Sequence, residues 1–239
     1  MIIQDTNLQE KISKSILKYE EVFGGKYKME QKYLLTGNSV LNEMLHGGYK
    51  KGTSTEISGM SDTGKTFLAI KAILEAQKEN KMTIYIDTTL KLTNDVLTDN
   101  NIDPDGVIII RSNKADSLGP TLKSIIEPYS DEIGLIIIDD LAGLTTSYEQ
   151  ESSIKKNTDI HRSKVVKSLL MRISNLIRNT EITCLVINQE RSNFDNEDIE
   201  VVSSFEKWIQ MCCDTRIKLV IDEDGDACVD VKFKEKRLK

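Results

Sequence analysis

The chain has 239 residues, of which 29% are charged and 39% hydrophobic, and its formal net charge is -6. This length suits one main domain and is too short for two full enzyme domains, and the composition is that of a folded globular chain. The negative charge excludes a simple basic protein that coats DNA, so any contact with nucleic acid has to come from local basic patches.

The N-terminal stretch LQEKISKSILKYEEVF, at residues 8–23, carries apolar side chains at helical spacing and stops at a Gly-Gly pair. It predicts an amphipathic helix whose apolar face packs either on its own domain or on a neighbouring subunit. We assign residues 1–33 to this helix and a linker with a role in oligomerisation, and residues 34–239 to the core. No apolar run approaches the roughly 20 residues that cross a bilayer, and the polar start lacks the apolar centre of a signal peptide. We therefore expect a cytoplasmic protein with no membrane partner.

Apolar runs and helical patterns alternate along the rest of the chain. The apolar runs lie at 54–58, 82–87, 106–110, 135–140 and 182–188, and the helical patterns lie at 65–79, 117–129 and 161–179. Continuous apolar strands separated by helices are typical of an α/β protein with a mostly parallel central sheet and helices on both faces. The final runs, TRIKLVID and ACVDVKFK, flank EDGD and predict a C-terminal antiparallel hairpin.

The stretch GMSDTGKT has the Gly-x4-Gly-Lys-Thr spacing of a phosphate-binding loop, and it stands between a predicted strand and a predicted helix. In such a loop the backbone N–H groups and the helix N-terminus attract phosphate, while the lysine reaches the terminal phosphates and the threonine ligates Mg²⁺. A glycine-rich turn with a surface lysine is the alternative. The predicted nucleotide contacts are Gly59, Met60, Ser61, Asp62, Thr63, Gly64, Lys65 and Thr66.

Polar side chains also follow two other predicted strands. Asp139 ends the run LIIID, where ligands of parallel sheets bind, and it is predicted to hold Mg²⁺ through water together with Thr66, with Asp140 as a cap for the next segment. Asn188 and Gln189 follow LVI. An amide there would sense the terminal phosphate through a hydrogen bond, unless the dipeptide only ends the strand in a turn.

The order of these segments resembles that of a known family. The segments are SKSILKYEEVFGGKYKM, LLTGNSVLNEMLHGGYKKGTSTEISG, the phosphate loop, IYIDTT, LIIIDDLAGL and LVINQ. Together they resemble the bacterial RecA recombinases and their phage-encoded relatives, over about residues 8–239. The resemblance implies a RecA-type P-loop ATPase core that binds ATP and Mg²⁺ between adjacent subunits. It also implies a homo-oligomeric filament on single-stranded DNA, used in DNA recombination and in repair of DNA damage.

The resemblance also assigns catalytic positions, and one of them departs from the family. Lys65 and Gln189 match the residues at the terminal phosphate, but the glutamate that activates the attacking water is replaced here by Thr89. A threonine hydroxyl cannot replace a carboxylate as general base at neutral pH. Weak hydrolysis is therefore expected, unless Asp87 or another carboxylate substitutes, while nucleotide binding does not depend on this residue.

The two DNA-contacting loops of the family match TTSYEQESSIKKNTDIHRSK and ERSNFDNEDIEVVSSFEKW. The first mixes basic and acidic residues, as a solvated surface also does, and the second has a surplus of acid that is unfavourable beside phosphates. Phe194 in the second loop would stack on a base or insert between bases, or else it anchors the loop. The residues assigned to DNA contact are Lys155, Lys156, Arg162, Arg191 and Phe194.

The C-terminal segment VDVKFKEKRLK resembles the family strand whose paired lysines reach the neighbouring subunit's ATP, and Lys234 and Lys236 match its Lys-x-Lys pattern. A basic edge strand is the alternative. The sequence thus predicts an ATP-binding recombinase with weak hydrolysis. The rival hypothesis is a hydrolysis-deficient paralogue that regulates or assembles another recombinase or mediator. The third hypothesis is a different nucleotide-dependent enzyme on the same core, because a fold does not determine a function.

Overall fold

The computed structural model describes residues 32–151, 158–193, 200–203, 205–222 and 227–234. The predicted N-terminal helix lies outside these residues. Among the helices that the structure describes, none is long and apolar enough to cross a membrane. The elements in chain order are β1 (Tyr33–Leu34), α1 (Ser39–Met44), β2 (Tyr49–Lys50), β3 (Ser54–Gly59), α2 (Lys65–Lys78), β4 (Met82–Asp87), α3 (Asn94–Asp99), β5 (Val107–Ile110), α4 (Ala115–Ile126), β6 (Ile133–Asp139), α5 (Ser147–Glu151), α6 (Thr158–Ile177), β7 (Thr183–Asn193), β8 (Glu200–Ser203), α7 (Glu206–Cys212), β9 (Thr215–Ile221) and β10 (Ala227–Phe233).

Within the described residues the core is an eight-stranded sheet with the order β10-β9-β3-β7-β6-β4-β5, and β8 pairs with β7 off this path. The strands from β9 to β5 pair in parallel, whereas β10 with β9 and β8 with β7 are antiparallel. The predicted α/β class, mostly parallel sheet and C-terminal hairpin are confirmed. Because the strands are parallel, the phosphate loop and the ends of β4, β6 and β9 meet at one edge.

The sheet is buried on both faces, as the continuous apolar runs predicted. Alternate residues of the central strands point to opposite sides. On one side Ile136 and Val186 pack in a cluster with Leu122 of α4 and Ile173 of α6. On the other side the strands pack against α2 in a second cluster, which includes Ile57, Ile137, Leu185 and Ile73.

Two of the element boundaries that differ from the predictions have a clear physical reason. Helix α4 ends at Ile126 rather than 129, because Pro128 has no N–H to continue the helix and disfavours it in the preceding residue. Strand β7 does not end in a turn at 188 but continues to Asn193, because its second half pairs antiparallel with β8.

A polar ladder, made of Asn188, Glu56, Arg216 and Glu206, crosses three neighbouring strands and reaches α7. The fully buried Glu56 accepts hydrogen bonds from Asn188 Nδ2 at 2.8 Å and from Arg216 Nε at 2.6 Å. The same guanidinium donates two bonds of 2.7 Å to Glu206. Buried charges are tolerated when they are paired in this way, so the ladder ties β7, β3 and β9 to the helix beside the β7–β8 hairpin.

Candidate functional site

The phosphate loop connects β3 to α2, and its glycines are required by the backbone. Gly59 has φ 155°, and a Cβ there would lie 2.5 Å from the carbonyl oxygen of Leu219 on β9. Gly64 caps α2 in the left-handed region, at φ 91°. Both positions disfavour any residue with a side chain, so the motif spacing reflects a real loop conformation.

Lys65, at the start of α2, turns into this loop. The side chain is buried, and its ammonium donates to the carbonyl oxygen of Met60 and lies 3.5 Å from the Thr63 hydroxyl. Burial lowers the pKa of Lys65, and nearby carboxylates, that of Asp139 first, oppose this shift. An anionic phosphate would be a stronger acceptor than a neutral carbonyl for this ammonium. The chemistry of the loop therefore suits a phosphate.

Ser61 and Asp62 occupy the exposed tip of the loop. The Ser61 hydroxyl donates to Asp62 Oδ2 at 3.1 Å, and both side chains are exposed. Met60 is also exposed at its side chain. The acidic side chain of Asp62 thus lies on the solvent side of the loop.

Asp139 ends β6 and meets the start of α2. Its Oδ2 accepts hydrogen bonds from Thr66 Oγ1 at 2.9 Å and from the Tyr85 hydroxyl at 2.6 Å. Burial raises the pKa of Asp139, and the two hydroxyl donors oppose that rise. The structure thus brings the two predicted metal residues, Thr66 and Asp139, together. Asp140 instead caps the next turn, since its Oδ1 accepts from the Gly143 N–H at 2.6 Å.

Thr89 lies just beyond β4, where the resemblance expects a catalytic glutamate. Its backbone N–H and its hydroxyl both face Asp87 Oδ1, at 3.2 and 3.3 Å. Asp87 is buried and also accepts from the N–H groups of Lys91 and Leu92. Its carboxylate is therefore occupied in fixing the loop after β4, and this arrangement does not suit it to activate water.

Gln189 and Asn188 have different environments although they are neighbours. Gln189 is the sheet partner of Gly59, which places it half-buried beside the first residue of the phosphate loop. The amide of Asn188 belongs to the polar ladder, on the opposite face of β7. Of the two amides, only that of Gln189 remains a candidate for sensing the terminal phosphate.

Of the residues assigned to DNA and to a neighbouring subunit's ATP, the structure describes the side chains of Arg162 and Lys234. Arg162 lies within α6, 3.9 Å from Glu149 and 5.4 Å from the Phe205 ring. Lys234 follows β10 and donates to the Met211 carbonyl oxygen at 2.6 Å. The remaining members lie outside the described residues, or have side chains outside them: Lys155, Lys156, Arg191, Phe194 and Lys236.

Tyr85 is a site residue that the sequence reasoning missed. It stands inside the apolar run MTIYID, which by itself predicts only a buried strand. A buried tyrosine hydroxyl normally finds a hydrogen-bond partner. A tyrosine two residues before the end of a predicted parallel strand could therefore have suggested a polar acceptor near that edge.

These groups fit a nucleotide with its metal ion. Loop N–H groups and a buried ammonium suit phosphate oxygens, while a hydroxyl beside a carboxylate suits Mg²⁺, which prefers oxygen ligands. The parallel sheet, the glycine-rich loop at a helix N-terminus and the strand-end carboxylate together define the P-loop class of α/β proteins.

The comparisons with known proteins identify the family. The model of the RecA N-terminal domain matches residues 7–198. The chain belongs to the RecA family, which confirms the resemblance predicted from the sequence. Protein RecA of Bacteroides thetaiotaomicron is 31% identical over 184 residues, which are 76% of this chain and 55% of that protein. Protein RecA of Mycoplasma genitalium is 28% identical over 184 residues, which are 75% of this chain and 54% of that protein. The chain spans about half the length of the curated relatives it matches.

Proposed function

We propose that this chain is an ATP-binding RecA-like recombinase that assembles on single-stranded DNA, in recombination and repair, and hydrolyses ATP weakly. The observation that carries this proposal is that one edge of the sheet has residues suited to bind a nucleotide but lacks a free general base among the strand-end residues that the structure describes. Lys65, Thr66 and Asp139 are arranged to hold a nucleotide and its metal ion. Thr89 and the loop-fixing Asp87 stand where the reaction needs a general base.

The binding step follows from the chemistry of the loop. Its backbone N–H groups and Lys65 would hold the phosphates, and Thr66 and Asp139 would hold Mg²⁺, Asp139 through water. The ion, when bound, neutralises the charge that gathers on the phosphates. Gln189, beside Gly59 in the sheet, would sense the terminal phosphate. Lys234 and Lys236 would approach the ATP of a neighbouring subunit.

Hydrolysis would be slow because the carboxylates at the strand ends beside the phosphate loop are already engaged in hydrogen bonds or an ion pair. Asp87 and Asp140 accept backbone N–H groups. Glu190 accepts from Ser58 at 3.2 Å and pairs with Lys218 at 3.0 Å. The Thr89 hydroxyl does not take a proton from water at neutral pH.

DNA contact is proposed through the two loops of the resemblance, with Lys155, Lys156, Arg191 and Phe194 as the candidates. Arg162 is the weakest candidate, since its guanidinium already lies against Glu149 and Phe205. Because the chain has a net charge of -6, attraction to DNA would depend on these local cations and would weaken steeply with salt.

The second candidate function is a hydrolysis-deficient paralogue that uses ATP as a structural ligand and assists another recombinase or mediator. The same pair, Thr89 and Asp87, favours it, because both groups are bound to each other and to the loop. The two functions differ in whether the chain assembles on DNA by itself.

Sedimentation with single-stranded DNA separates the two functions. The protein is mixed with a long oligonucleotide, with and without ATP and Mg²⁺, and ATP turnover is measured in the same samples. Assembly on DNA only with ATP, together with slow turnover, supports the recombinase. ATP binding without assembly on DNA supports the paralogue. No ATP binding contradicts both.

Removal of residues 1–24 tests the proposed role of the N-terminal segment. The shortened protein is expected to bind ATP with the affinity of the full chain but to form no higher assemblies, because the predicted apolar helix face would be missing. Analytical ultracentrifugation with ATP measures this. Polymers formed by the shortened protein would show that the segment is not the assembly element, and loss of ATP binding would show that it belongs to the core.

A further inference from the structure

Tyr85 connects the buried side of the sheet to the metal side of the site. It lies in β4, is 1% exposed and packs in the apolar cluster beneath α2. Its sheet partner on β6 is Ile137, two residues before Asp139 on the same face. Side chains at such diagonal positions are within reach of a long aromatic residue. The hydroxyl therefore extends out of an apolar environment to the end of the neighbouring strand.

The hydrogen bond from Tyr85 is short, and it goes to the same carboxylate oxygen of Asp139 that Thr66 contacts. The hydroxyl donates to Asp139 Oδ2 at 2.6 Å, and Thr66 Oγ1 donates to the same oxygen at 2.9 Å. Two donors on one oxygen fix the rotation of the carboxylate. The Thr66 hydroxyl still has lone pairs to offer a metal ion while it donates its proton. Tyr85, by contrast, lies too deep in the core to contact a nucleotide itself.

We propose that Tyr85 is a positioning residue for the magnesium side of this site: it holds Asp139 in the orientation that the ion and its waters require. The proposal rests on the proposed binding of ATP with Mg²⁺. Groups that contact the ligands of a metal ion typically change metal affinity by about 10- to 100-fold when they are replaced. Asp139, which would hold Mg²⁺ through water, is such a group, and Tyr85 acts by orienting it. Tyr85→Phe removes only the hydroxyl and keeps the ring in the apolar cluster, so its effect should fall on Mg²⁺ rather than on the fold.

The chain offers a matched control in Tyr49. This tyrosine is also 1% exposed and belongs to the same apolar cluster. Its hydroxyl is buried without a hydrogen-bond partner among the described residues. Tyr49→Phe therefore removes the same atom from the same cluster, without any link to Asp139.

The test is a Mg²⁺ titration of fluorescent ATP binding, without any measurement of turnover. Tyr85→Phe is expected to shift the Mg²⁺ midpoint upward by up to about 10-fold, while ATP affinity in EDTA stays near that of the parent. Tyr49→Phe is expected to leave the midpoint unchanged. An unchanged midpoint in Tyr85→Phe, or an equal shift in both variants, overturns the proposal. If the parent binds no ATP at any Mg²⁺ concentration, the proposed function fails instead.

A double-mutant cycle with Asp139→Asn shows whether Tyr85 acts through this carboxylate. If it does, Tyr85→Phe adds no further shift of the Mg²⁺ midpoint in the Asp139→Asn background, because the group that it positions is already replaced. Additive shifts in the double variant overturn the proposal. If Tyr85→Phe lowers the melting temperature by more than Tyr49→Phe and leaves the midpoint in place, the hydroxyl is structural and the proposal is wrong.

Discussion

Asp87 and Asp139 are partners in the sheet, at the ends of β4 and β6, yet their surroundings differ. Asp87 accepts mainly from backbone N–H groups of the loop that follows it, together with the Thr89 hydroxyl. Asp139 accepts from two side-chain hydroxyls, those of Thr66 and Tyr85, which belong to other elements. One carboxylate fixes its own loop, and the other is held ready beside the phosphate loop.

The difference shows how one edge can keep nucleotide binding and lose chemistry. A carboxylate that accepts hydrogen bonds from backbone N–H groups is not available for another role, because the loop would lose its conformation if these bonds were broken. Side-chain hydroxyls orient a carboxylate and still leave it able to serve a metal ion. The Asp139 end therefore has the groups that binding needs, whereas the Asp87 end lacks a base, and the predictions below act on one end at a time.

The largest expected effect comes from supplying the missing base. Thr89→Glu places a carboxylate beside Asp87, and a positioned general base typically contributes about 10²- to 10⁴-fold to the rate. We expect ATP turnover in the presence of single-stranded DNA to rise within that range. The matched control is Thr89→Gln, which has the same size without the charge and should stay at the parental rate.

Two results would contradict this view of the Asp87 end. Fast turnover in the parent, unaffected by Thr89→Ala, would mean that another carboxylate is the base. Turnover that stays at background in Thr89→Glu, with normal ATP binding and assembly, would place the defect in the DNA loops or in the lysines Lys234 and Lys236.

The next effect tests the phosphate loop by itself. Lys65→Ala removes a charged donor, and hydrogen bonds to charged groups contribute about 1.5–3 kcal/mol, or roughly 10- to 150-fold in Kd. Calorimetric titration with ATP and Mg²⁺ measures the loss. Lys78→Ala, at the other end of α2, removes an ion pair with the largely buried Glu75 and should leave the affinity unchanged. Equal affinities for all three proteins would exclude the loop as a phosphate site.

The smallest effects, on stability, should have opposite signs at the two aspartates. Asp87→Asn puts an amide against backbone donors and should cost about 1–3 kcal/mol. Asp139→Asn removes a buried charge whose neutral replacement can still accept from Tyr85 and Thr66, and it should stabilise the nucleotide-free protein by about 0.5–2 kcal/mol. Urea denaturation without nucleotide measures both changes, and a loss of stability in Asp139→Asn would contradict the comparison.

The pH dependence of the stability provides a second test of the Asp139→Asn prediction. Burial raises the pKa of Asp139 in the folded protein above its ordinary value, so the ionised carboxylate destabilises the nucleotide-free protein at neutral pH. That penalty fades as the pH falls through the raised pKa towards the ordinary value. The stability gained by Asp139→Asn should therefore shrink as the pH is lowered, while the Mg²⁺ midpoint of nucleotide binding in this variant should shift upward.

Much of the fold and part of the site were predictable because they rest on local patterns. Continuous apolar runs fixed the positions of β4 and β6, and motif spacing located the phosphate loop with Lys65 and Thr66. Strand-end logic placed Asp139 near Thr66 before any distance was known, since parallel strands deliver their carboxyl ends to one edge.

The parts that were not predictable depend on pairing between distant segments. The polarity of Tyr85 was hidden inside an apolar run, because periodicity reports burial and not the partner of a hydroxyl. Asn188 lies in the same strand as Gln189, but side chains alternate along β7, so that of Asn188 joins the polar ladder on the opposite face. The extension of β7 to Asn193 depends on pairing with β8, which no pattern within β7 itself records.

The polar ladder has a consequence for how this sequence can change over generations. Its members Asn188 and Arg216 stand 132 and 160 residues away from Glu56 along the chain. Losing one partner of a buried ion pair typically costs about 3–5 kcal/mol, whereas exchanging a whole pair for well-packed apolar residues is often neutral. Natural selection should therefore remove single replacements in the ladder and tolerate replacements of both partners together. The three strands are far apart along the chain but adjacent in the sheet. Their ladder residues are therefore expected to change together during evolution, even though each strand taken alone looks like an ordinary buried run.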